Sequence, residues 1–319
     1  MGSTRMGLIG ASRIAANATA PAMHGAGLPV LAVASRSHPP EPRDFGRVRW
    51  YSRYQDLLQD PDVDAVYISI PNDLHGPWSI LALEAGKHVI CEKPAAMNHA
   101  EWLWMQDAAS KHDRVVMEAI MYRFHPQWQK IREWLPRLGT VQTIRSFFCH
   151  PLNLQGDYRA DPKQGGGALY DLGVYALNAA AWMAGNPIEW LAVNVAFHPE
   201  FAVDATVDAH YKTDDQIDVS IRCSLIEGPE QFVELTGTQG RLLIEQPFTV
   251  GQKQATLQLE LEHETERITL EPSNFYVAMF AEFAKRIDMR PTMIDPDDTL
   301  KTLILMDKIR ELAKMPAYS

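Results

Sequence analysis

The chain has 319 residues, enough at roughly 150 residues per domain for two ordinary cores. Hydrophobic residues make up 46% and charged residues 22%, the balance of a folded globular protein and not of a disordered chain. Forty acidic residues against 30 basic ones leave a formal charge of −10, a field that repels phosphate backbones and disfavours nucleic acid as a partner.

The first apolar run, Met6 to Ala11, is interrupted by Ser12 and Arg13 and is too short for the core of a secretory leader. It reads as a strand, Gly7 to Gly10, followed by a helix from about Ile14. A strand at 30–34, a connection rich in proline (Pro39, Pro40, Pro42), a short helix at 54–59 and a strand at 65–70 closed by Pro71-Asn72 come next. The alternation continues with helix 76–86, strand 88–91, helix 98–112 and strand 115–118. Strands and helices alternating at this spacing predict right-handed βαβ units on a parallel sheet, with apolar strands buried on both faces.

Past about residue 120 the pattern changes. Strands at 141–149, 191–197, 205–211, 217–225, 232–236, 241–244 and 255–261 follow one another, separated by turn signals such as Asp214-Asp215 and Glu227-Gly228-Pro229. Consecutive strands predict a largely antiparallel sheet, with helices at about 124–136, 167–184, 275–287 and 297–314 packed on it. The expected fold class is α/β: an N-terminal domain with a parallel sheet over 1–120, and a C-terminal α+β domain with a mostly antiparallel sheet over 121–319. Glu260, Glu262, Glu264 and Glu266 alternate around a strand-like run, which predicts one solvated acidic face at a sheet edge. Trp102, Trp104, Trp128 and Trp134 fall on predicted helices and are read as packing residues.

The longest weakly charged stretch, Leu172 to Ile188, contains Gly173, Asn178, Gly185, Asn186 and Pro187, so no membrane span is expected. Cys91, Cys149 and Cys223 are scattered without any C-x-x-C pair, which signals neither a disulfide framework nor a thiolate metal site. A reducing, cytoplasmic setting is expected, and no cluster of Asp, Glu and His suggests a metal.

Gly10-Ala11-Ser12-Arg13-Ile14-Ala15 follows the first strand and opens the first helix, the place of a dinucleotide fingerprint. Gly10 permits the tight turn, small Ala15 lets helix and strand approach, and backbone N–H groups at the helix N-terminus meet a pyrophosphate. Ser12 replaces the middle glycine of the usual G-x-G-x-x-G/A; its hydroxyl is a phosphate donor, while its Cβ narrows the backbone approach. The second strand ends Val33-Ala34-Ser35-Arg36-Ser37, with a hydroxyl and a guanidinium where an NAD-binding protein places an acidic residue. That pair suits a 2′-phosphate and predicts NADP, with NAD as the alternative.

Further segments complete a pattern: Pro71-Asn72-Asp73-Leu74-His75, Ala85 through Glu92-Lys93-Pro94, Met117 through His125-Pro126, and Gly165-Gly166-Gly167-Ala168-Leu169-Tyr170-Asp171-Leu172-Gly173-Val174-Tyr175. Together with the Gly10 turn they resemble the Gfo/Idh/MocA oxidoreductases over nearly the whole chain. The resemblance implies an N-terminal dinucleotide-binding Rossmann domain over 1–120, a C-terminal domain over 121–319 whose large, mostly antiparallel open sheet mediates homodimerisation, and an active site between the two. It places Lys93 beside the nicotinamide and the reacting carbon. Four residues after Asp171, where histidine is frequent in the family, stands Tyr175; tyrosine there resembles the branch of dimeric dihydrodiol dehydrogenase, NADP-dependent xylose dehydrogenases and glucose-fructose oxidoreductase. The implied cofactor set is Gly10, Ser12, Arg13, Ile14, Ser35, Arg36, Pro71, Asn72, His75, Glu92 and Lys93. The substrate set is Arg123, His125, Asp171, Tyr175 and Asn178, with Lys93, Tyr175 and Asp171 carrying the chemistry.

The residues support this chemically. Asp171, Tyr175 and Asn178 lie at i, i+4 and i+7, one polar stripe on an apolar helix. Oxidising a secondary alcohol requires removal of the hydroxyl proton as hydride leaves, and a phenol of pKa about 10 is too weak a base unless a cation favours the phenolate. Lys93 is such a cation; whether Tyr175 or Lys93 takes the proton stays open, and Asp171 orients the substrate or the tyrosine. The expected activity is NADP-dependent hydride transfer to or from an aldose, cyclic polyol or dihydrodiol. A catalytically silent NADP-binding sensor and an NAD-dependent glycosidase are the competing readings.

Overall fold

The computed structural model describes residues 4–36, 45–251, 253–289 and 298–315; Ser37 and the prolines at 39, 40 and 42 lie outside them. Contacts divide the described residues into two compact units, one of residues 4–124 with 274–289, the other of 125–273 with 298–315.

The first unit is built on six parallel strands, β1 (Met6–Ile9), β2 (Val30–Ala34), β3 (Arg49–Tyr51), β4 (Ala65–Ile68), β5 (His88–Glu92) and β6 (Val116–Ala119), in the order β3-β2-β1-β4-β5-β6. Leu8, Ile9, Val33 and all of Ala65 to Ile68 are fully buried, the two-sided burial of a parallel sheet covered by helices. Strand order runs outward in opposite directions from β1 and β4, which opens a crevice at their carboxyl ends. β3 has no counterpart in the sequence reading. It is three residues long, lies at the edge, and exposes Arg49 and Trp50, so it lacks the apolar pattern by which a strand is recognised. Ion pairs from Arg49 to Asp60 (3.2 Å) and Asp62 (2.9 Å) fasten it.

The first helix begins as one turn of π-helix, Ala15–Thr19, and continues as α1 (Ala20–Gly25). Pro21 explains the widening: it has no N–H, and in a regular α-helix its ring collides with the carbonyl four residues back. Helices α2 (Tyr54–Leu58), α3 (His75–Glu84) and α4 (His99–Lys111) follow. Asn98 caps α4 by accepting the Glu101 N–H at 2.9 Å, and the Glu101 carboxylate reaches back to the Met97 N–H at 2.6 Å, a reciprocal cap of two orphan donors.

The second unit contains α5 (Pro126–Trp134), α6 (Val174–Met183) and eight strands: β7 (Val141–Cys149), β8 (Pro187–Phe197), β9 (Asp204–Thr213), β10 (Asp218–Ser224), β11 (Glu230–Gly237), β12 (Gly240–Ile244), β13 (Ala255–Leu261) and β14 (Glu264–Leu270). Their order is β14-β13-β12-β11-β7-β10-β9-β8, antiparallel except for β7 beside β10. One face buries Ile144, Val207, Val219, Ile221, Val233 and Leu235. The other carries Asp208, Arg222, Arg145 and Glu234, paired as Arg222–Asp208 (2.6 Å) and Arg145–Glu234 (3.3 Å). Between those pairs the Arg145 guanidinium lies 5.1 and 5.2 Å from the ring centres of Phe147 and Phe232.

Two expectations are corrected. The helix at 275–287 is α7 (Phe275–Met289), and it packs on the first unit, not on the second sheet: Phe280 meets Tyr67 edge-on at 5.9 Å, and Val277 lies 3.1 Å from the place of a Cβ on Gly25. Its apolar face records that it packs, not on what. The acidic run is not one face of one strand. It turns at Glu262-His263 into the hairpin β13–β14, where Thr265 pairs with Glu260 and Glu266 with Leu259, so Glu260 and Glu266 point to opposite faces. Glu264 and Glu266 hold Arg137 at 3.1 and 2.7 Å, while Glu260 faces Arg241 at 3.5 Å. The chain closes with α8 (Asp298–Leu312), against α6. Among the described residues no helix is long and apolar enough to cross a membrane.

Asp204 opens β9 fully buried and accepts the Leu169 N–H at 2.7 Å; burial pushes its carboxyl up from 3.8 to about 6. The fold therefore holds this proton more tightly than the unfolded chain does, and the stability from the protonated form is lost as pH rises from about 4 to about 6. Asp204→Asn keeps an acceptor for Leu169 and removes the titration. Relative to the variant, the wild type should lose stability across that window by up to about 1.4 kcal/mol per pH unit. Denaturant midpoints between pH 4 and 7 check this, and parallel curves for the two proteins would count against it.

Candidate active site

The first unit gathers its candidate residues at the carboxyl ends of β1, β4 and β5. Gly10 has φ +99°, and a Cβ on it would stand 2.6 Å from the Ser69 carbonyl oxygen. The Gly10 N–H donates to the Ala34 carbonyl and the Ser69 N–H to the Ile9 carbonyl, both at 2.9 Å, so the turn is clamped between β2 and β4. The Ser12 hydroxyl accepts the Ala15 N–H at 3.1 Å and donates to Ser69 Oγ at 3.0 Å. Its proton is thus directed at β4, and it caps the helix start. The anion-binding donors of such a turn are its backbone N–H groups. Arg13 and Ile14 are exposed at the same turn.

At the end of β2, the Ser35 N–H donates to the Tyr51 carbonyl at 3.0 Å, and exposed Arg36 places its guanidinium 6.0 Å from the centre of the Tyr54 ring. This donor set, a left-handed glycine turn opening a helix beside an exposed cation and no acidic residue at the strand end, fits a phosphorylated dinucleotide.

Pro71 and Asn72 follow β4, with Pro71 half-buried and Asn72 buried in a short 3-10 turn, Asn72–Leu74. His75 is buried between two backbone carbonyls, with Nδ1 2.7 Å from Pro94 and Nε2 2.8 Å from Ile70. Burial pushes the imidazole down to about 4, so one ring proton serves one carbonyl at a time. The ring ties the loop after β4 to the turn after β5. On the other side of that turn, buried Glu118 accepts the Ala95 N–H at 2.9 Å. The Glu92 carboxylate accepts from the Tyr67 hydroxyl, and its other oxygen from the Lys93 N–H at 3.3 Å. The Lys93-Pro94 peptide is cis. Half-buried Lys93 therefore issues from a turn held by His75, Glu92 and Glu118. Arg123, half-buried in a 3-10 turn at Met121–Phe124, also belongs to this unit.

In the second unit the helix that carries Asp171 and Tyr175 starts as a π-turn, Leu169–Gly173, in which the Val174 N–H reaches the Leu169 carbonyl, and continues as α6. A Cβ on Gly167, at φ +105°, would stand 2.1 Å from Asp204 Oδ1, so the third glycine admits the carboxylate that holds this helix start. Asp171 pairs through Oδ1 with Arg159 Nε at 2.9 Å. Tyr175 is buried against Phe148 (5.5 Å, edge-on) and Phe248 (5.9 Å). Asn178 Nδ2 donates to Thr302 on α8 at 3.1 Å. His125 caps α5: its Nδ1 accepts the Gln127 N–H at 3.2 Å, and burial lowers its pKa.

Lys93 thus stands on the first unit, and Asp171, Tyr175 and Asn178 lie along one helix of the second. The π-turn changes the even spacing on which a single stripe depends, since an inserted residue rotates the downstream side chains by about 100°. Arg159, Asp204, Glu118 and Tyr67 escaped the sequence reading. Arg159 sits in a loop without periodicity, and its only signal is a lone cation between Asp157 and Asp161 just before the glycines.

Residues 4–120 match the family model for the GFO/IDH/MocA oxidoreductase family, NAD-binding Rossmann fold, and residues 128–243 match the GFO/IDH/MocA C-terminal domain. An uncharacterized oxidoreductase of Rhizobium meliloti is 37% identical over 262 residues, 78% of this chain and 76% of that one. A D-xylose 1-dehydrogenase (NADP+) of Haloferax volcanii is 29% identical and covers 98% of both chains. The crystal structure of a 3-ketoreductase from Actinomadura kijaniata, in complex with NADP and TDP-benzene, superposes with a TM-score of 0.91 at 28% identity over 97% of each chain. With both of its halves matched in order, the chain belongs to the Gfo/Idh/MocA oxidoreductase family.

Proposed function

We propose that the protein is an NADP-dependent oxidoreductase that interconverts a ring hydroxyl and a carbonyl on an aldose, a cyclic polyol or a dihydrodiol. The observation that carries this reading is the place of Lys93. It follows β5 at the same sheet edge where the Gly10 turn follows β1, with β4 between them, the edge at which an open α/β sheet binds its ligands. The names of the xylose dehydrogenase and the 3-ketoreductase agree with it.

When bound, the nicotinamide supplies the hydride acceptor or donor. Gly10, Ser12, Arg13 and Ile14 hold the pyrophosphate, Ser35 and Arg36 the 2′-phosphate, and Pro71, Asn72, His75 and Glu92 shape the wall that leads to Lys93. The ammonium of Lys93 stabilises negative charge on the reacting oxygen. Tyr175, in an aromatic pocket, and Lys93 are the two groups that exchange the hydroxyl proton. Asp171 accepts hydrogen bonds from substrate hydroxyls and Arg123 donates to them, while buried His125 and Asn178 act by holding the start of α5 and the contact of α6 with α8. The buried thiols Cys91, Cys149 and Cys223 support a reducing, cytoplasmic setting. The open face of the second sheet, with Phe147 and Phe232 among ion pairs, supports a homodimer.

Initial rates of nicotinamide reduction across aldoses, polyols and trans-dihydrodiols should show turnover with NADP. Lys93→Met and Tyr175→Phe should each lower kcat by about 10² to 10⁴ with NADP affinity retained; wild-type turnover in either variant removes that residue from the chemistry. Arg36→Asp should shift the preference toward NAD by at least about tenfold, read as the ratio of kcat/KM for the two cofactors, and an unchanged ratio would refute the assignment. Sedimentation equilibrium should give a dimer that Phe147→Asp converts to monomer, whereas a wild-type monomer at micromolar concentration rules out the sheet interface.

A further inference from the structure

We infer that Arg159 is a positioning residue that fixes the Asp171 carboxylate and, through its own backbone, the glycine turn from which the Asp171 helix starts. The inference rests on the proposed role of Asp171 and extends it to a residue that the sequence analysis did not single out.

Arg159 lies in a short 3-10 turn, Tyr158–Ala160, in the loop after β7. Its Nε stands 2.9 Å from Asp171 Oδ1. The opposite side of the guanidinium is held by Asp157, whose two carboxylate oxygens lie 3.1 and 3.3 Å from one terminal nitrogen and which also accepts the Arg159 N–H at 3.0 Å. The Tyr158 ring centre is 4.8 Å from the guanidinium carbon. A planar fork held by a carboxylate on one side and an aromatic ring beside it has little rotational freedom left, and this makes it a fixed reference for a second carboxylate.

The backbone of the same residue acts on the same segment. The Arg159 carbonyl accepts the Gly167 N–H at 3.1 Å. It also occupies the space beside Gly166, where a Cβ would come within 2.3 Å of its oxygen. One residue therefore sets where the helix begins and which way its first acidic side chain points. The pair is largely sheltered, with 28% of the Arg159 side chain and 10% of the Asp171 side chain exposed. Removing the cation from a carboxylate with so little water around it is costly. Charged, Asp171 is an acceptor only, which suits a ligand that presents hydroxyl groups. Four residues on, Tyr175 belongs to the same helix, so a shift of the glycine turn would move both side chains together.

The test is a double-variant cycle on the full-length enzyme, with NADP and the fastest substrate from the panel of aldoses, polyols and dihydrodiols. Arg159→Gln should lower kcat/KM by about 10²-fold, the cost of a small misplacement at a distance from the chemistry, chiefly through KM for the alcohol, with the Kd for NADP unchanged. Arg159→Lys should recover part of the loss and carries the test if the Gln variant does not fold. Because Arg159 acts through Asp171, adding Arg159→Gln to Asp171→Asn should cost little beyond Asp171→Asn alone. Losses that multiply in the double variant, or full activity in Arg159→Gln, would overturn the positioning role and leave Asp171 in place. If Asp171→Asn is itself as active as the wild type, or no compound turns over, the underlying reading of the site fails, and the inference with it.

Discussion

The two helix starts that carry the candidate residues depend on backbone approaching backbone more closely than a Cβ permits. Gly10 meets the Ser69 carbonyl oxygen where a Cβ would be 2.6 Å away, and Gly166 meets the Arg159 carbonyl oxygen where it would be 2.3 Å away. Both approaches stand at the mouth of a helix. In the first, the clamp between β2 and β4 leaves the helix start facing the crevice where strand order reverses, so the backbone N–H groups proposed to meet a pyrophosphate are fixed by the sheet. In the second, the loop after β7 is brought against the helix that carries Asp171 and Tyr175. A larger residue at either point would move a whole helix, because the atom it meets is backbone and has no rotamer to escape into.

Each of these helices opens with a π-turn, Ala15–Thr19 in one unit and Leu169–Gly173 in the other. A π-turn adds a residue without adding a strand or a loop, and so rotates the downstream face relative to the upstream one. In the second unit this separates the tasks of side chains that a regular helix would align. Asp171, inside the wide turn, meets Arg159, while Asn178, in the regular part, meets Thr302 on the neighbouring helix. The side chain between them, Tyr175, is held by aromatic edges.

Much of this was legible in the sequence, and the boundary is physical. The strands of the first sheet are apolar runs between turn signals, and Gly10, Glu92-Lys93-Pro94 and the glycine triplet are short local motifs that can be recognised without knowing what packs against them. The features that could not be read involve partners far apart in sequence or absent from any period. β3 is too short and too exposed to show a pattern. The acidic alternation from Glu260 to Glu266 looks continuous in one dimension, but the chain reverses between its second and third members. α7 shows an apolar face that fits either sheet, and only contacts such as Phe280 on Tyr67 decide which.

Arg159 and Asp204 show the same limit within the site. The sequence names the glycines and the helix they open but not the groups that fill the space the glycines leave. From one side a carbonyl arrives, from the other a buried carboxylate, and neither residue carries a periodic or motif signal. Yet the absence of side chains at 166 and 167 is itself informative, since a run of glycine before a helix means that something else is close. A glycine triplet ahead of an otherwise apolar helix should therefore be read as a demand for two partners, a backbone acceptor and an anion. Residues preceding the triplet by a few positions, with a charge set among opposite charges, are the first place to look for one of them.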